Sequence, residues 1–197
     1  ADAEELALTE GLTPGQAQLL SDKSLTRADR ILADCARGDI FLLTMQDAAY
    51  PARLRDIFDP PVLLYGKGSL PLFDEEAAIA VVGTRSCTPY GLRCAHRMGY
   101  ELARQGAVVV SGMAKGIDGA AMRGALQAGG FTAAVLGGGV DVVYPAENRR
   151  LYEDIAATGV LLSEYPPGTE PLPGHFPVRN RIISGLSLAS LVVEAPG

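Results

Sequence analysis

The stretch I-A-V-V-G-T-R-S-C-T-P-Y-G-L, residues 79–92, contains in order an apolar run, a glycine turn and the start of a helix. Ile79–Val82 is continuously apolar, which is typical of a strand buried on both faces of a parallel sheet. Gly83 ends that run, and Thr88 followed by proline has the residue types of a helix N-cap and first helical position. This stretch predicts a strand–turn–helix unit with Arg85 in its turn.

The same unit recurs toward the C-terminus. Further strands are predicted at Ala107–Val110, Phe131–Leu136, Val160–Leu162 and Leu191–Val193, with helices at Pro89–Gly106, Asp118–Ala128, Glu147–Ala157 and Val178–Leu188. Apolar strands that alternate with helices indicate an α/β fold with a mainly parallel sheet covered on both faces. Right-handed crossovers make such a sheet doubly wound.

The first part of the chain has a different pattern. Leucines recur at loose helical spacing, Thr26 is expected to cap a helix that runs to Arg37, and Ile40–Thr44 is a short apolar run of strand type. A passage rich in turn residues follows. We therefore assign residues 1–45 to a partial helical segment, 46–78 to a linker that wraps onto the main domain, and 79–197 to the sheet domain.

Composition places the chain among ordinary globular proteins, since 48% of its 197 residues are hydrophobic and 20% are charged. No window is apolar for long enough to span a bilayer, and no basic-then-apolar leader precedes the first helix. The three cysteines form no C-x-x-C pair, and their odd number disfavours a disulfide framework. We therefore expect a protein of the reducing cytoplasm, without a membrane partner.

The formal net charge of −6 conceals an asymmetry along the chain. Residues 1–78 hold 14 acidic and 7 basic side chains, for a net charge of −7, whereas residues 79–197 hold 9 acidic and 10 basic ones, for a net charge of +1. The sheet domain is therefore open to a polyanionic ligand, provided that its cations are focused in one cluster.

In a doubly wound sheet, ligands bind beyond the carboxyl ends of the strands, so the residues that follow each strand are candidates for the site. Arg85 occupies the place of the second glycine of G-x-G-x-x-G, which argues against a dinucleotide but suits a single phosphate. The next turn, S-G-M-A-K-G-I-D (111–118), offers a hydroxyl, flexible backbone amides and a lysine to an anion. Asp118 is interpreted first as a helix cap and second as a candidate catalytic carboxylate.

Two later loops carry further candidates. Gly137–Gly139 allow a close approach of a ligand, but no helix opens directly after them, which weakens a nicotinamide-cofactor interpretation. The stretch H-F-P-V-R-N-R-I-I-S-G-L-S (175–187) places Arg179 in the predicted first helical turn, on the apolar side of the helix. An arginine there is unfavourable unless an anion or a carboxylate joins it. The alternative is a structural pair of Arg179 or Arg181 with Glu164 or Glu194.

No constellation in the sequence predicts a hydrolase triad or a metal site. His96 and His175 are the only histidines, and neither has ligand-type spacing with the cysteines. His175 and Phe176 are instead a plausible phosphate and stacking pair for single-stranded nucleic acid.

Taken together and in order, six motifs resemble the DNA-processing protein A (DprA/Smf) family. They are V-V-G-T-R-S (81–86), S-G-M-A-K-G-I-D (111–118), L-G-G-G-V-D-V-V-Y-P (136–145) with Asn148, S-E-Y-P-P-G (163–168), F-P-V-R-N-R-I-I-S-G-L-S (176–187) and V-V-E-A (192–195). The resemblance runs from about Tyr50 to Ala195. Residues before about 45 resemble the family's small helical, SAM-like domain with its beginning missing.

The resemblance implies an extended Rossmann-like domain in a cytoplasmic, homodimeric protein without a cofactor. Its implied role is to bind and protect incoming single-stranded DNA during natural transformation and to load the RecA recombinase onto it, which is not an enzymatic activity. By the matching motifs, the DNA phosphates would meet Gly83, Arg85, Ser111, Gly112, Lys115, Gly116, Asn148, Arg179, Asn180 and Arg181. Phe176 would stack on a base.

The chain also departs from the family. Met122 stands where many members have histidine, so any role of that histidine is absent. The sequence stops at Gly197, where we expect a truncated C-terminal part, and it lacks a winged-helix segment. The alternative function is a Rossmann-like nucleotide phosphoribohydrolase (lysine decarboxylase-like), although its P-G-G-x-G-T-x-x-E signature is not matched at Gly137–Asp141. A nicotinamide oxidoreductase would need the missing G-x-G-x-x-G.

Overall fold

A computed structural model describes residues 2–195 and divides the chain into two compact units, residues 1–34 and 35–197. The predicted domain limits at residues 1 and 197 lie outside the described residues. The helices are α1 (Ala3–Ala7), α2 (Pro14–Ser21), α3 (Thr26–Gly38), α4 (Ala52–Arg55), α5 (Pro89–Arg104), α6 (Ile117–Gln127), α7 (Arg149–Thr158) and α8 (His175–Leu186). The strands are β1 (Phe41–Thr44), β2 (Leu63–Gly68), β3 (Ala78–Val82), β4 (Val108–Ser111), β5 (Thr132–Val135), β6 (Val160–Ser163) and β7 (Ala189–Val192), and a 3-10 turn covers Ala146–Asn148.

The first unit is helical because its sequence carries complete helix-start signals. Asp2 and Glu5 form a reciprocal capping box at α1, and Thr13 and Gln16 form another at α2. Each box satisfies two backbone donors that a helix start would otherwise leave open.

The second unit is built on a seven-stranded sheet in the order β1-β2-β6-β5-β4-β3-β7. β6, β5, β4, β3 and β7 pair in parallel, whereas β1 and β2 are antiparallel additions at the β6 edge. The prediction of a mainly parallel α/β sheet flanked by helices is therefore confirmed.

β2 lies within the segment 46–78 that the sequence analysis treats as a linker. It pairs antiparallel with β6, with Tyr65 opposite Ser163. Two glycines make this strand hard to recognise in the sequence, and the structure explains both. A Cβ at Gly66 would collide with the ring of Phe41 on the neighbouring strand, and Gly68 has a φ of 104° and lies against the carbonyl oxygen of Gly159. Together with the division after Asp34, this makes the observed organisation differ from the predicted limits at 45 and 78.

The two faces of the sheet have different cores. On one face α8 supplies large side chains, Ile182, Ile183 and Leu186, which pack with alternate strand residues such as Ala80. On the other face α5 and α6 supply mostly alanines, which pack with Val81 and its neighbours. Burial of each large aliphatic side chain contributes about 1.5–3 kcal/mol, so α8 is firmly anchored across the sheet.

Two helix starts differ from the predictions in ways that affect the site. α6 begins at Ile117 after Gly116, so Asp118 lies inside the helix and is not its N-cap. α8 begins at His175, three residues earlier than predicted, because Pro177 falls in the first turn, where proline is tolerated. Arg179 therefore lies in the second turn and not the first. In the described part of the chain, no helix combines the length and the hydropathy of a transmembrane segment.

Candidate nucleic-acid interface

The loops that follow β3, β4, β5 and β6 meet at one edge of the sheet because the four strands are parallel. Between these loops and the start of α8 lie two cavities of about 240 and 610 Å³. They share the lining residues Arg85, Ala114, Tyr144, Pro171 and Phe176, and we call them together the groove. This is the position at which doubly wound folds bind ligands.

The rim of the groove consists of exposed or half-buried side chains, namely Arg85, Lys115, Phe176 and Asn180. The guanidinium carbon of Arg85 lies 4.9 Å from the centroid of the Phe176 ring, and the ring of Tyr144 lies 5.5 Å from it. Among residues 2–195, no carboxylate forms an ion pair with Arg85. The rim therefore presents a cation and an aromatic ring side by side to the solvent.

Lys115 is the second cation of the rim, and it is already paired. Its ammonium group donates a hydrogen bond to the carboxylate of Glu147, and both side chains are more than half exposed. The hydrogen bond from Lys115 lowers the pKa of Glu147 below its ordinary value. A phosphate that binds Lys115 would have to compete with Glu147.

Arg179 and Asp118, both buried, form the floor of the groove. Ser111 and Asn148 are also buried but do not line it. The side chain of Arg179 is 3% exposed, and its Nη1 donates to the backbone oxygens of Gly112 and Val135. Burial lowers the pKa of Arg179 to about 10, an effect opposed by the charge of Asp118. Arg179 thus ties the end of β5 to the loop after β4.

Asp118 is the buried counter-charge of the floor. Its Oδ2 accepts the amide N–H of Gly112 at 3.2 Å, and the amides of Ala114 and Gly83 also stabilise its charged form. Burial is nevertheless the largest influence and raises the pKa of Asp118. The backbone amides of these loops are therefore already bonded to the carboxylate of Asp118.

Ser111 and Asn148 use their polar atoms internally. The Ser111 hydroxyl donates to the carbonyl of Val81 at 2.6 Å, which joins the ends of β4 and β3. The Asn148 amide group donates to the carbonyl of Met113 at 2.9 Å and accepts from Arg123 at 3.2 Å. Both side chains hold the loops in place and line neither cavity.

The predicted glycines lie where the backbone or a buried side chain of another segment approaches closely. Gly116 has a φ of 80°, and a Cβ there would also lie 2.5 Å from the carbonyl oxygen of Thr84. A Cβ at Gly112 would lie 2.5 Å from Nη2 of Arg179 and 2.8 Å from Oδ2 of Asp118. Gly83 and Gly112 line the larger cavity and the smaller cavity respectively, whereas Gly116 lines neither.

Arg181 lies apart from the groove. Its Nη2 donates to Glu164 at 2.7 Å and its Nε donates to Asp59 at 3.0 Å. These hydrogen bonds raise the pKa of Arg181 above its ordinary value. The alternative of a structural pair with Glu164 therefore applies to Arg181, whereas Glu194 instead accepts hydrogen bonds from Thr88.

Sequence reasoning missed several residues that shape the groove. Tyr144 and Pro171 line both cavities, and Glu147 holds Lys115. The sequence could have pointed to Tyr144, since it stands in the motif V-V-Y-P that follows the glycines. The pairing of Glu147 with Lys115 depends on tertiary structure alone. A search of residues 2–195 finds no group of three or more His, Cys, Asp or Glu side chains arranged to hold a metal ion.

The fold and the groove define a class: a doubly wound α/β protein with exposed cations and an aromatic ring at the carboxyl edge of its parallel strands. Residues 41–197 match the family model described as DNA recombination-mediator protein A. The chain belongs to that family.

Individual relatives agree with this assignment. The chain is 42% identical to DNA processing protein DprA of Bacillus subtilis over 165 residues, which cover 84% of this chain and 56% of that one. The X-ray structure of DprA from Streptococcus pneumoniae superposes with a TM-score of 0.80 at 38% identity, covering 96% of this chain and 65% of that one. A DprA structure from Helicobacter pylori, reported for its unique single-stranded DNA binding mode, gives a TM-score of 0.71 at 34% identity and covers 78% and 69%. The chain spans about half the length of the curated relatives it matches.

Proposed function

We propose that this chain binds single-stranded DNA along the groove, with phosphates near Arg85 and Lys115 and a base against Phe176. The observation that carries the proposal is the exposed guanidinium of Arg85, which lies 4.9 Å from the Phe176 ring and has no carboxylate partner among the described residues. Single-strand binders combine such a cation for the backbone with an aromatic face for the bases.

In this proposal, some of the predicted contact residues touch the DNA and the others support the loops and α8. Arg85, Lys115, Asn180 and Phe176 contact the DNA directly, because they are accessible in the groove. Arg179, Ser111 and Asn148 are buried and keep the loops in shape. Arg181 supports α8 from outside the groove. The single-stranded DNA binding reported for the Helicobacter pylori relative supports the choice of ligand.

The biological role that we propose is the handling of incoming DNA during natural transformation, followed by loading of the RecA recombinase. The description of the family as a recombination mediator supports this role. It is tested by mixing the protein with RecA, single-stranded DNA and a single-strand coating protein. Faster RecA filament formation is expected, and an unchanged rate would contradict the loading step. Sedimentation of the same protein would test the expected homodimer.

The binding proposal is tested by titrating labelled oligo-dT at several salt concentrations. Affinity should fall as salt rises, and Arg85→Ala should weaken binding about tenfold, or ~1.4 kcal/mol. The salt slope should fall by about 0.7, as for one lost phosphate contact on a single strand. Arg27→Ala, an exposed arginine on α3, provides the matched control. Unaltered binding by Arg85→Ala would overturn the assignment of the rim.

The same protein is assayed with nucleoside monophosphates to test the phosphoribohydrolase alternative. Release of ribose phosphate without any oligonucleotide binding would favour that enzyme and reject the DNA-binding proposal. Binding without release is the expected outcome.

A further inference from the structure

The outer face of α5 carries three arginines that the groove does not use. Arg93, Arg97 and Arg104 are all exposed. At about 100° per residue they fall within an arc of ~40°. The buried residues of α5, among them Ala95 and Gly99, lie on the opposite side of the helix. The arginines therefore form one stripe that points away from the core, which we call the α5 stripe.

Aromatic side chains accompany the α5 stripe. Tyr90 is 70% exposed and lies in the first turn of α5, one turn before Arg93. Tyr100 is partly exposed and lies between Arg97 and Arg104 on the same side of the helix. Alternating cations and aromatic rings are the arrangement with which proteins follow a single strand of nucleic acid.

The charge of this segment is exceptional within an acidic chain. Residues 85–104 contain four arginines and one acidic residue, Glu101, which gives a net charge of +3 where the whole chain has −6. Glu101 approaches Arg104 at 3.8 Å, and both side chains are about half exposed. Arg93 and Arg97 are like charges one turn apart, which destabilises a helix. Helix stability therefore does not explain the α5 stripe, whereas an anionic ligand would.

Along the chain, the α5 stripe begins close to the groove. Arg85 lies four residues before the first residue of α5, so the chain between them spans at most about 14 Å. From Arg93 to Arg104 the helix rises by about 16 Å, which leaves room for more than one phosphate.

We propose that the α5 stripe is a second contact surface for nucleic acid, which binds the phosphates of the same single strand after it leaves the groove at Arg85. The proposal rests on the proposed function of the groove and extends its footprint. A short oligonucleotide would fill the groove alone, whereas a longer one would also reach the α5 stripe.

The experiment compares oligo-dT of about 4 and about 20 nucleotides, lengths that bracket common single-strand site sizes. The variant is Arg93→Gln/Arg97→Gln, with Arg93→Lys/Arg97→Lys to retain the charge and Arg27→Gln/Arg30→Gln on α3 as the control of equal charge change. For the long oligonucleotide, the glutamine variant should lower the salt slope by about 1.4 and weaken binding several-fold at low salt. The short oligonucleotide should bind as in the unmodified protein.

The outcomes separate the two proposals. If neither length binds the unmodified protein, the function proposed for the groove fails. If the short oligonucleotide binds but the glutamine variant binds the long one with unchanged affinity and slope, the α5 stripe is not a nucleic-acid surface. An equal loss of affinity for the short and the long oligonucleotide would also reject the α5 stripe as a contact surface, because the substitutions would then act on the groove. The lysine variant should keep the salt slope of the unmodified protein for the long oligonucleotide. A lower slope in the lysine variant would contradict a contact based on charge.

Discussion

Arg85 and Arg179 lie near the same aromatic ring, with guanidinium carbons 4.9 and 5.8 Å from the centroid of Phe176. Arg85 is exposed on the rim, whereas Arg179 is 3% exposed on the floor and donates to two backbone carbonyls. The same residue type therefore has two uses within one groove. The rim arginine is open to solvent, and the floor arginine holds together the loops that form the groove.

Arginines that lie beside one groove are therefore not all candidates for ligand contact. A buried guanidinium has already lost its water and is compensated by protein groups, here two carbonyls and the charge of Asp118. Removing it should therefore affect folding before it affects binding. Removing the exposed arginine should affect binding alone.

The largest expected effect is that of Arg179→Met on stability. The substitution leaves Asp118 as a buried charge without its compensating cation and leaves the carbonyls of Gly112 and Val135 without their donor. We expect a loss of about 3 kcal/mol or more in the free energy of unfolding, measured with urea.

Arg181→Met is the matched control for that substitution, two residues along the same helix. Its ion pairs with Glu164 and Asp59 lie nearer the surface, so we expect a loss of about 1 kcal/mol or less. If Arg179→Met left stability unchanged and abolished DNA binding, the distinction between floor and rim would be wrong.

The next effect concerns the pH dependence of stability through Asp118. Burial raises its pKa in the folded protein above 3.8, so between pH 3.8 and that raised value the folded protein keeps a proton that the unfolded chain releases. Stability contributed by this group therefore falls as pH rises through that window and is constant above it. Asp118→Asn should remove this fall, measured as urea unfolding at a series of acidic pH values.

Asp47→Asn gives a control of opposite sign. Hydrogen bonds from Thr44 lower the pKa of Asp47, so its stabilising contribution is present above pH 3.8 and is lost as pH falls through the lowered value. The two asparagine variants should therefore change the pH profile in opposite directions. Parallel changes would show that Asp118 is not a buried acid of raised pKa.

The sheet and its helices could be predicted because their signals are local. Thr88 caps α5 as expected, with its hydroxyl accepting the amide of Gly91, because a threonine before a proline determines a helix start by itself. β2 was not predicted, since it depends on the fit of Gly66 against Phe41 from a distant part of the sequence. Asp118 was assigned to a cap for the same reason: its amide partners at Gly112 and Ala114 come from the folded loop.

The groove was predictable in position but not in detail. The rule that ligands bind at the carboxyl ends of parallel strands selects the edge at which the groove lies, where Arg85, Lys115 and Phe176 come together. It does not distinguish exposed from buried cations, because burial depends on how α8 crosses the sheet. It also does not reveal which carboxylate pairs with each cation, as Glu147 does with Lys115.

The smallest expected effect concerns that pair. Glu147 is exposed and, under the proposed function, would compete with a DNA phosphate for Lys115, so Glu147→Gln frees the cation and removes a negative charge. Because exposed ion pairs are weak, DNA affinity should rise only about two-fold at low salt, and the gain should disappear as salt screens the charges. Oligo-dT titration at low and high salt measures this, with Glu153→Gln, an exposed acid on α7, as the control for net charge. An equal gain in both variants would mean that overall charge, and not release of Lys115, sets the affinity. A loss of affinity in Glu147→Gln alone would mean that the ion pair positions Lys115 for the phosphate, so that the pair belongs to the groove as a support and not as a competitor.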